Sequence, residues 1–401
     1  GKFHVGPSLS DPAFRKKYGL HDVQKNTPFT EKLNRQQFEN EKQFRRAVRD
    51  YGFTWAKNIY WDNTKAPFQS HNPEWTTAAA VEFIEEHKAQ PFYLHYCTTL
   101  LHGANGAWHK SLSHPKVTGE GIIRENLDAM PARASVMERI EKAGLSSNEA
   151  GYLWMDDSLG VLLDKLDQLN LSDNTVVLFI ADHGSGNKGS LYKAKGTEVP
   201  CIMRWPKGMK AGIRSDELIQ NTDFVPTWLE LAQAALPAAY RVDGVSLKPL
   251  FRKPNSPVRK FVYSEIGAAR SIKTRDYSYI TLRYTKDQVS GVRHNSRRYI
   301  KSMTGLGGGV SRSIATHPHA YSDDQLYDLK GDPDAQKNLA SRQRHAGTLK
   351  RMQELLAGEL GKFSQRPYGE FLAGGNSIAG GSYADVFETL RKAASDKKKK
   401  K

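Results

Sequence analysis

Residues 176–181, VVLFIA, form an apolar run of β-branched and aromatic side chains with no polar position to mark an outer face. Such a run fits a strand covered on both sides within a parallel sheet. It stops abruptly at Asp182 and His183, which are followed by Gly184, Ser185 and Gly186, with Lys188 in the same loop. A carboxylate and an imidazole therefore stand at the carboxyl end of a strand, where open α/β sheets hold their ligands. A second apolar segment, residues 199–203, resumes after the loop, so two buried elements would hold its side chains in place. An Asp-His-Gly string is also a serviceable strand-to-turn transition, with Asp bonding nearby backbone and Gly taking positive φ. The tripeptide alone does not separate these readings.

The elements upstream fit an α/β chain. Residues 75–87 carry Ala78, Ala79, Val81, Phe83 and Ile84 on one helical face, Pro91 closes the helix, and residues 92–97 follow as a strand. That helix-then-strand order is half of a parallel crossover. His102 comes just past the end of this strand, with His109 and the mid-strand His95 as rivals for any role there. Residues 146–170 predict a second helix, opened by a capping box of Ser146 and Glu149 and carrying Tyr152, Met155, Leu159, Leu162, Leu163 and Leu166 at helical spacing. It delivers the chain into residues 176–181. Asp156 and Asp157 sit side by side in this helix and point about 100° apart, which makes them structural rather than a catalytic pair. Residues 14–70 show no period from which elements can be placed, although the aromatic string at 51–61 predicts packing over the sheet. Residues 106–144 form a long connection of the kind that either shapes a site or merely runs over the surface.

The chain after residue 206 reads as a short amphipathic helix at 223–233, then DGVSLKPLF closing a large domain, then PNSP at 254–257 as a linker. Short strands at 261–265, 269–273, 277–284 and 325–329, with a helix at 338–360, predict a small antiparallel domain. The glycine-rich 305–309 reads as a flexible loop, and residues 366–401 as a weakly ordered tail ending in lysines.

Composition sets outer limits. The 401 residues are 38% hydrophobic and 25% charged, enough for two domains with a sizeable core. No apolar run approaches a membrane span. The net charge is +16, and five of those charges lie in the terminal lysine run. The remaining basic side chains are scattered, with no nucleic-acid-binding motif among them, so an anionic substrate accounts for them as well as a polynucleotide does. Two cysteines, Cys97 and Cys201, give neither a disulfide framework nor zinc spacing, and both fit small buried thiols. At the start, GKFHVG places Lys2 and His4 at alternate positions, hence on one side of an extended segment.

These strings resemble the sulfatases of the alkaline-phosphatase superfamily. ADHG followed by KGSLY and VPCIMRWP is similar to the segment in which that family binds its metal through Asp-Asn or Asp-His and its sulfate through a lysine. GKFHVG is similar to Gly-Lys-Trp-His-Leu-Gly, whose lysine contacts sulfate and the nucleophile and whose histidine assists turnover of the nucleophile. The strand at 92–97 followed by His102 resembles the family's strand and Pro-His-x-Pro, although Leu101 and Gly103 replace the flanking prolines' neighbourhood. QLYDLKGDPDAQKNLA resembles the family's LYDL-x-x-DP-x-x-x-x-NL, a marker of fold rather than of chemistry.

The resemblance implies an alkaline-phosphatase-like α/β fold: a mixed, mostly parallel sheet between helices in a catalytic domain at 1–253, and a smaller α+β domain at 258–365. It implies Lys2, His4, His102 and Lys188 as catalytic residues, Asp182 and His183 as ligands of one calcium ion, and a formylglycine nucleophile. No Cys-x-Pro or Ser-x-Pro-x-Arg string occurs in these residues, so the chain is expected to lack the N-terminal portion that carries the nucleophile and the other metal carboxylates. The implied activity is hydrolysis of sulfate esters, on a sulfated small molecule or glycan, by an exported protein. A phosphate or phosphonate ester hydrolase and a non-catalytic polyanion-binding protein are the alternatives.

Overall fold

A computed structural model describes residues 1–3, 6–23, 27–102, 108–184, 191–192, 196–236, 238, 240–266, 269–283, 317, 319 and 322–363. The glycine-rich 305–309 and the tail at 366–401 lie outside these residues. The chain divides into two compact units, residues 1–175 and 176–401.

The first unit opens with β1 (Lys2–Phe3). Helix α1 (Pro12–Tyr18) follows, capped by the Asp11 carboxylate on the Ala13 and Phe14 amides and ended by Gly19 at φ 61°. Helix α2 (Glu31–Asp50) starts where the Thr30 hydroxyl accepts from the Leu33 amide. Sequence periodicity misses α2 because its inner face is partly polar: Gln37, Asn40 and Glu41 are buried alongside Leu33, Phe44, Ala47 and Val48. Each polar group has a partner. Gln37 donates to the Gly119 carbonyl at 2.6 Å, Asn40 exchanges two bonds with the His21 backbone, and Glu41 takes Arg45 at 2.5 Å and the Ile59 amide at 2.8 Å. The aromatic string at 51–61 packs as expected. Strand β2 (Tyr60–Trp61) pairs in parallel with β1, and Trp61 is buried against Phe14 and Phe44.

Helix α3 (Pro73–His87) is capped by the Asn72 side chain on the Trp75 amide. The long connection at 106–144 holds α4 (Trp108–Leu112), a two-residue-strand hairpin β3 (Val117–Thr118) and β4 (Gly121–Ile122), and α5 (Arg133–Lys142). Helix α6 (Ala150–Gln168) packs on α3 and begins after a 3-10 turn, so the Ser146 hydroxyl caps that turn at Asn148 rather than the helix itself. Asp157 pairs with Arg139 at 2.5 Å, a structural role. Between α3 and α6 the Glu74 carboxylate accepts both Arg133 guanidinium nitrogens at 3.0 and 2.7 Å and the Trp154 indole N–H at 3.0 Å.

Glu74 and Arg133 are nearly enclosed, with side chains 5% and 13% exposed. Removing one partner of such a pair leaves the other charge buried and uncompensated, at a cost of about 3–5 kcal/mol. Glu74→Ala is therefore expected to lower the urea midpoint by an amount equivalent to that loss. A loss below about 1 kcal/mol would mean that the pair behaves as a solvated surface bridge.

The second unit begins with β5 (Val177–Ile180), which pairs with β6 (Cys201–Arg204). The strand is where the sequence places it, but its partner is antiparallel and its residues are half-exposed, with Ile180 36% and Ile202 65% exposed. Strand β6 returns antiparallel along β5, and this two-stranded ribbon has no further neighbour on either edge among the described residues. Cys201 is accordingly exposed and not a buried thiol. The parallel pairing among the described residues is that of β1 with β2. Residues 92–97, expected as a strand, are extended, and Cys97 accepts from the Lys2 amide at 2.7 Å, without a ladder of their own.

Helices α7 (Phe224–Leu231), with Pro226 in its first turn, and α8 (Lys248–Arg252) follow. The remaining strands β7 (Val262–Ile266), β8 (Ala269–Lys273), β9 (Tyr277–Leu282) and β10 (Asp324–Asp328) form an antiparallel sheet of order β10-β9-β8-β7. Helix α9 (Ala346–Leu360) covers one face, with Met352, Leu356 and Leu360 on Ile272, Tyr279 and Leu326. It starts later than expected because the Asn338 side chain is committed to β10, accepting from the Leu326 amide and donating to the Asp324 carbonyl. Among the described residues no helix is long and apolar enough to cross a membrane.

Candidate active site

In the first unit Lys2 sits on β1, between two segments. Its amide donates to Cys97, the Gly1 carbonyl accepts from Tyr60, and the Phe3 carbonyl accepts from Asp62 at 3.3 Å. His4 lies outside the described residues. The segment that leads from Cys97 to His102 is anchored at Thr99, which is buried, bonds the His71 ring through its hydroxyl at 3.0 Å, and accepts the His102 amide on its carbonyl at 3.0 Å. Leu100 is locked into the cluster around Trp154 and Val136. His102 is thus half-buried at the end of a fixed turn, whereas His109 is exposed on α4, and His95 is exposed on the extended segment. Thr99 and His71 were not legible in the sequence, since their roles depend on a contact between distant segments.

In the second unit Asp182 and His183 leave the end of β5. The Asp182 carboxylate is 85% exposed, and its Oδ2 lies 3.5 Å from His183 Nε2. His183 Nδ1 is 2.9 Å from the Gly184 carbonyl, a bond that fixes the Nδ1–H tautomer in the neutral ring. Nε2 then turns a lone pair toward a carboxylate, two electron-rich groups at a spacing that calls for a cation between them or a proton on the ring. Two ligands about 2.4 Å from one metal ion and at right angles to each other are about 3.4 Å apart, so the pair has the spacing of one edge of a metal's coordination shell. These two donors do not complete a shell. No group of three or more His, Cys, Asp or Glu able to hold a metal occurs among the described residues.

The loop after this pair is tied down at its far end. The Gly184 amide donates to the Gly196 carbonyl and the Thr197 amide to the Tyr192 carbonyl, both at 3.1 Å. Lys188, expected to bind sulfate, lies between these anchors in sequence and outside the described residues. Tyr192, 2% exposed, donates its hydroxyl to Gln325 Oε1 at 2.5 Å and stacks on the His317 ring with 3.8 Å between centroids and 6° between planes. Burial lowers the His317 pKa, opposed by its bond to the Ala335 backbone and by Asp334 and Asp332.

The sequence matches the sulfatase family over residues 12–234, more than half of its length, and the chain belongs to that family. A second match, to the C-terminal part of N-sulphoglucosamine sulphohydrolase, spans residues 181–289. The chain is 33% identical over 187 residues to an ulvan-active sulfatase of Formosa agariphila, covering 44% of this chain and 35% of that one. It is 28% identical over 223 residues to an N-acetylglucosamine-6-O-sulfatase of Bacteroides thetaiotaomicron, covering 52% and 34%. It is also similar to an arylsulfatase of Hemicentrotus pulcherrimus, at 26% over 283 residues, covering 66% and 45%. The chain therefore spans about a third to under a half of the length of these curated relatives. A solved structure described as a complex with its substrate D-glucosamine-2-N,6-O-disulfate overlaps 75% of this chain and 72% of its own, at 19% identity and a TM-score of 0.49.

Proposed function

We propose that these residues supply the metal-binding, sulfate-binding and proton-transfer groups of an enzyme that hydrolyses sulfate esters, on a sulfated carbohydrate or related ester. The observation that carries this reading is the Asp182–His183 pair, two ligand atoms 3.5 Å apart at the end of β5, in a chain of the sulfatase family. The relatives named for ulvan and N-acetylglucosamine-6-O-sulfate favour a sugar substrate. Export, the compartment expected of such an enzyme, belongs to the same proposal, as does the assignment of 1–253 to a catalytic domain and 258–365 to a smaller one.

A divalent ion, when bound, would polarise the sulfuryl oxygens and hold the nucleophile in its ionised form. Asp182 and His183 would hold it. Calcium is the ion we assign, with the Asp182 carboxylate suited to its preference for oxygen and His183 the less usual ligand. Lys2, Lys188 and His4 would bring positive charge and hydrogen bonds to the sulfate and nucleophile. A unit charge pair at about 4 Å is worth roughly 4 kcal/mol at an effective dielectric of 20, enough to make either lysine essential. His102 would give its proton to the departing ester oxygen, which imidazole can do near neutral pH. The 401 residues contain no Cys-x-Pro or Ser-x-Pro-x-Arg string. On this reading the nucleophile, a formylglycine, is not among them.

The chain is therefore expected to turn over no aryl sulfate, with or without calcium. Turnover that disappears in His4→Ala would show a complete site within these residues. In the gene product that contains this chain together with its nucleophile, absence of both calcium and sulfate binding would overturn the proposal.

A further inference from the structure

The face of the C-terminal sheet opposite α9 departs from the usual alternation, in which one face packs and the other meets water. Strand parity puts Ser271, Lys273, Ser278, Gln325 and Tyr327 on this face beside the apolar Ala269, Ile280 and Leu282, and every one of them is buried. Part of what covers them is the chain that follows the Asp182–His183 loop. Gln325 is fully buried, with Oε1 accepting from both the Tyr192 and Tyr327 hydroxyls, at 2.5 and 2.9 Å, and Nε2 donating to the Ser322 carbonyl at 3.1 Å. The Lys273 ammonium donates to the Thr197 hydroxyl. His317 stacks on the Tyr192 ring. The backbone bonds of Thr197 to Tyr192 and of Gly184 to Gly196 then continue the connection to the residue directly after His183. All of these groups belong to one unit of the chain.

We infer that Tyr192, Gln325 and His317 are positioning residues: they hold Tyr192 and Thr197 on the C-terminal sheet and, through the bond of the Gly184 amide to the Gly196 carbonyl, set Asp182 and His183. The inference rests on the functional reading above for what the loop does, but the clamp itself is a matter of hydrogen bonds and packing. It gives the small C-terminal domain a part in the site through the backbone it holds. A fully buried glutamine that accepts from two phenols has one good orientation, and an aromatic stack resists sliding, so Tyr192 has little freedom while the clamp is closed.

The test reads amide hydrogen exchange over 182–184 and 196–198 in the 401-residue protein, and calcium affinity by calorimetry in the gene product that contains this chain together with its nucleophile. In His317→Ala, loss of the stack is expected to speed exchange at the Gly184 and Thr197 amides roughly tenfold and to weaken calcium binding by a similar factor, while exchange across Ala269–Lys273 and Tyr277–Leu282 stays as it was. His317→Phe keeps a stacking ring and should remain within about twofold of the parent protein on both readouts. If the alanine variant disturbs the sheet, Tyr192→Phe, which deletes one hydroxyl, is expected to raise exchange at Thr197 roughly threefold to tenfold. Unchanged exchange at both amides in His317→Ala or in Tyr192→Phe would overturn the clamp. Faster exchange with unaltered calcium affinity would overturn its role in positioning the site. A gene product that binds no calcium would overturn the assignment of Asp182 and His183 as its ligands instead, and the exchange data would still decide whether the clamp exists.

Discussion

In the gene product that contains this chain together with its nucleophile and the remaining metal carboxylates, Asp182→Ala is expected to weaken calcium binding on the order of 100-fold or more. Asp182 is the only oxygen donor of the candidate pair, and a hard cation held by too few oxygens returns to water. Losing even an outer partner of a metal ligand costs 10- to 100-fold in affinity, so losing the ligand itself should cost no less. The loss should not come from unfolding, because the carboxylate is 85% exposed and holds no core element in place. A thermal midpoint within about 2 °C of the parent protein, measured without metal, is the control. His183→Asn gives the opposite sign for selectivity. Exchanging imidazole nitrogen for an amide oxygen should favour calcium over zinc, since nitrogen ligands suit zinc and oxygen ligands suit calcium. Equal calcium affinity in the parent and Asp182→Ala would mean that the 3.5 Å spacing is an ordinary carboxylate–imidazole contact and that the strand end is only a turn.

His102→Ala should behave differently, because it removes a proton donor and leaves the metal ligands and both lysines alone. In the gene product that contains this chain together with its nucleophile, metal content is expected to be unchanged while turnover of an alkyl or sugar sulfate falls about 10²- to 10⁴-fold. The loss should shrink for an aryl sulfate whose leaving group is a stable phenolate, since such an oxygen departs without a proton. This dependence on the leaving group separates acid catalysis from mere damage, which would slow every substrate alike. Thr99 and Leu100 fix the turn that ends at His102, while His109 is exposed on a five-residue helix, so His102 is the first of the two to substitute. Equal losses on alkyl and activated aryl sulfates would make His109 the residue to test.

Much of the fold was legible in the sequence where local chemistry decides it. The helix expected at 75–87 is α3, which begins two residues earlier, β8 falls on the expected 269–273, and β5 ends just before Asp182, because helical spacing, prolines and apolar runs act on their immediate neighbours. The ligand-bearing string was legible for the same reason: Asp182, His183 and Gly184 are consecutive. Helix α2 was not, because Gln37, Asn40 and Glu41 turn inward and their partners, Gly119, His21, Arg45 and Ile59, are for the most part distant in the chain.

The sequence by itself determined which side chains of this protein can bear charge, ligate a metal or move a proton. Only the tertiary structure decided how they are held. The antiparallel return of β6 along β5 left Cys201 and Ile202 exposed where an apolar run predicted burial, since an apolar side chain is buried only if some other element covers it. The C-terminal sheet, in sequence a marker of fold, proved to hold the loop beyond His183 through Gln325 and Tyr192, residues 133 positions apart. A hydrogen bond between such distant residues leaves no trace in the periodicity of either segment, because periodicity records which face of its own element a residue takes and not what that face will meet.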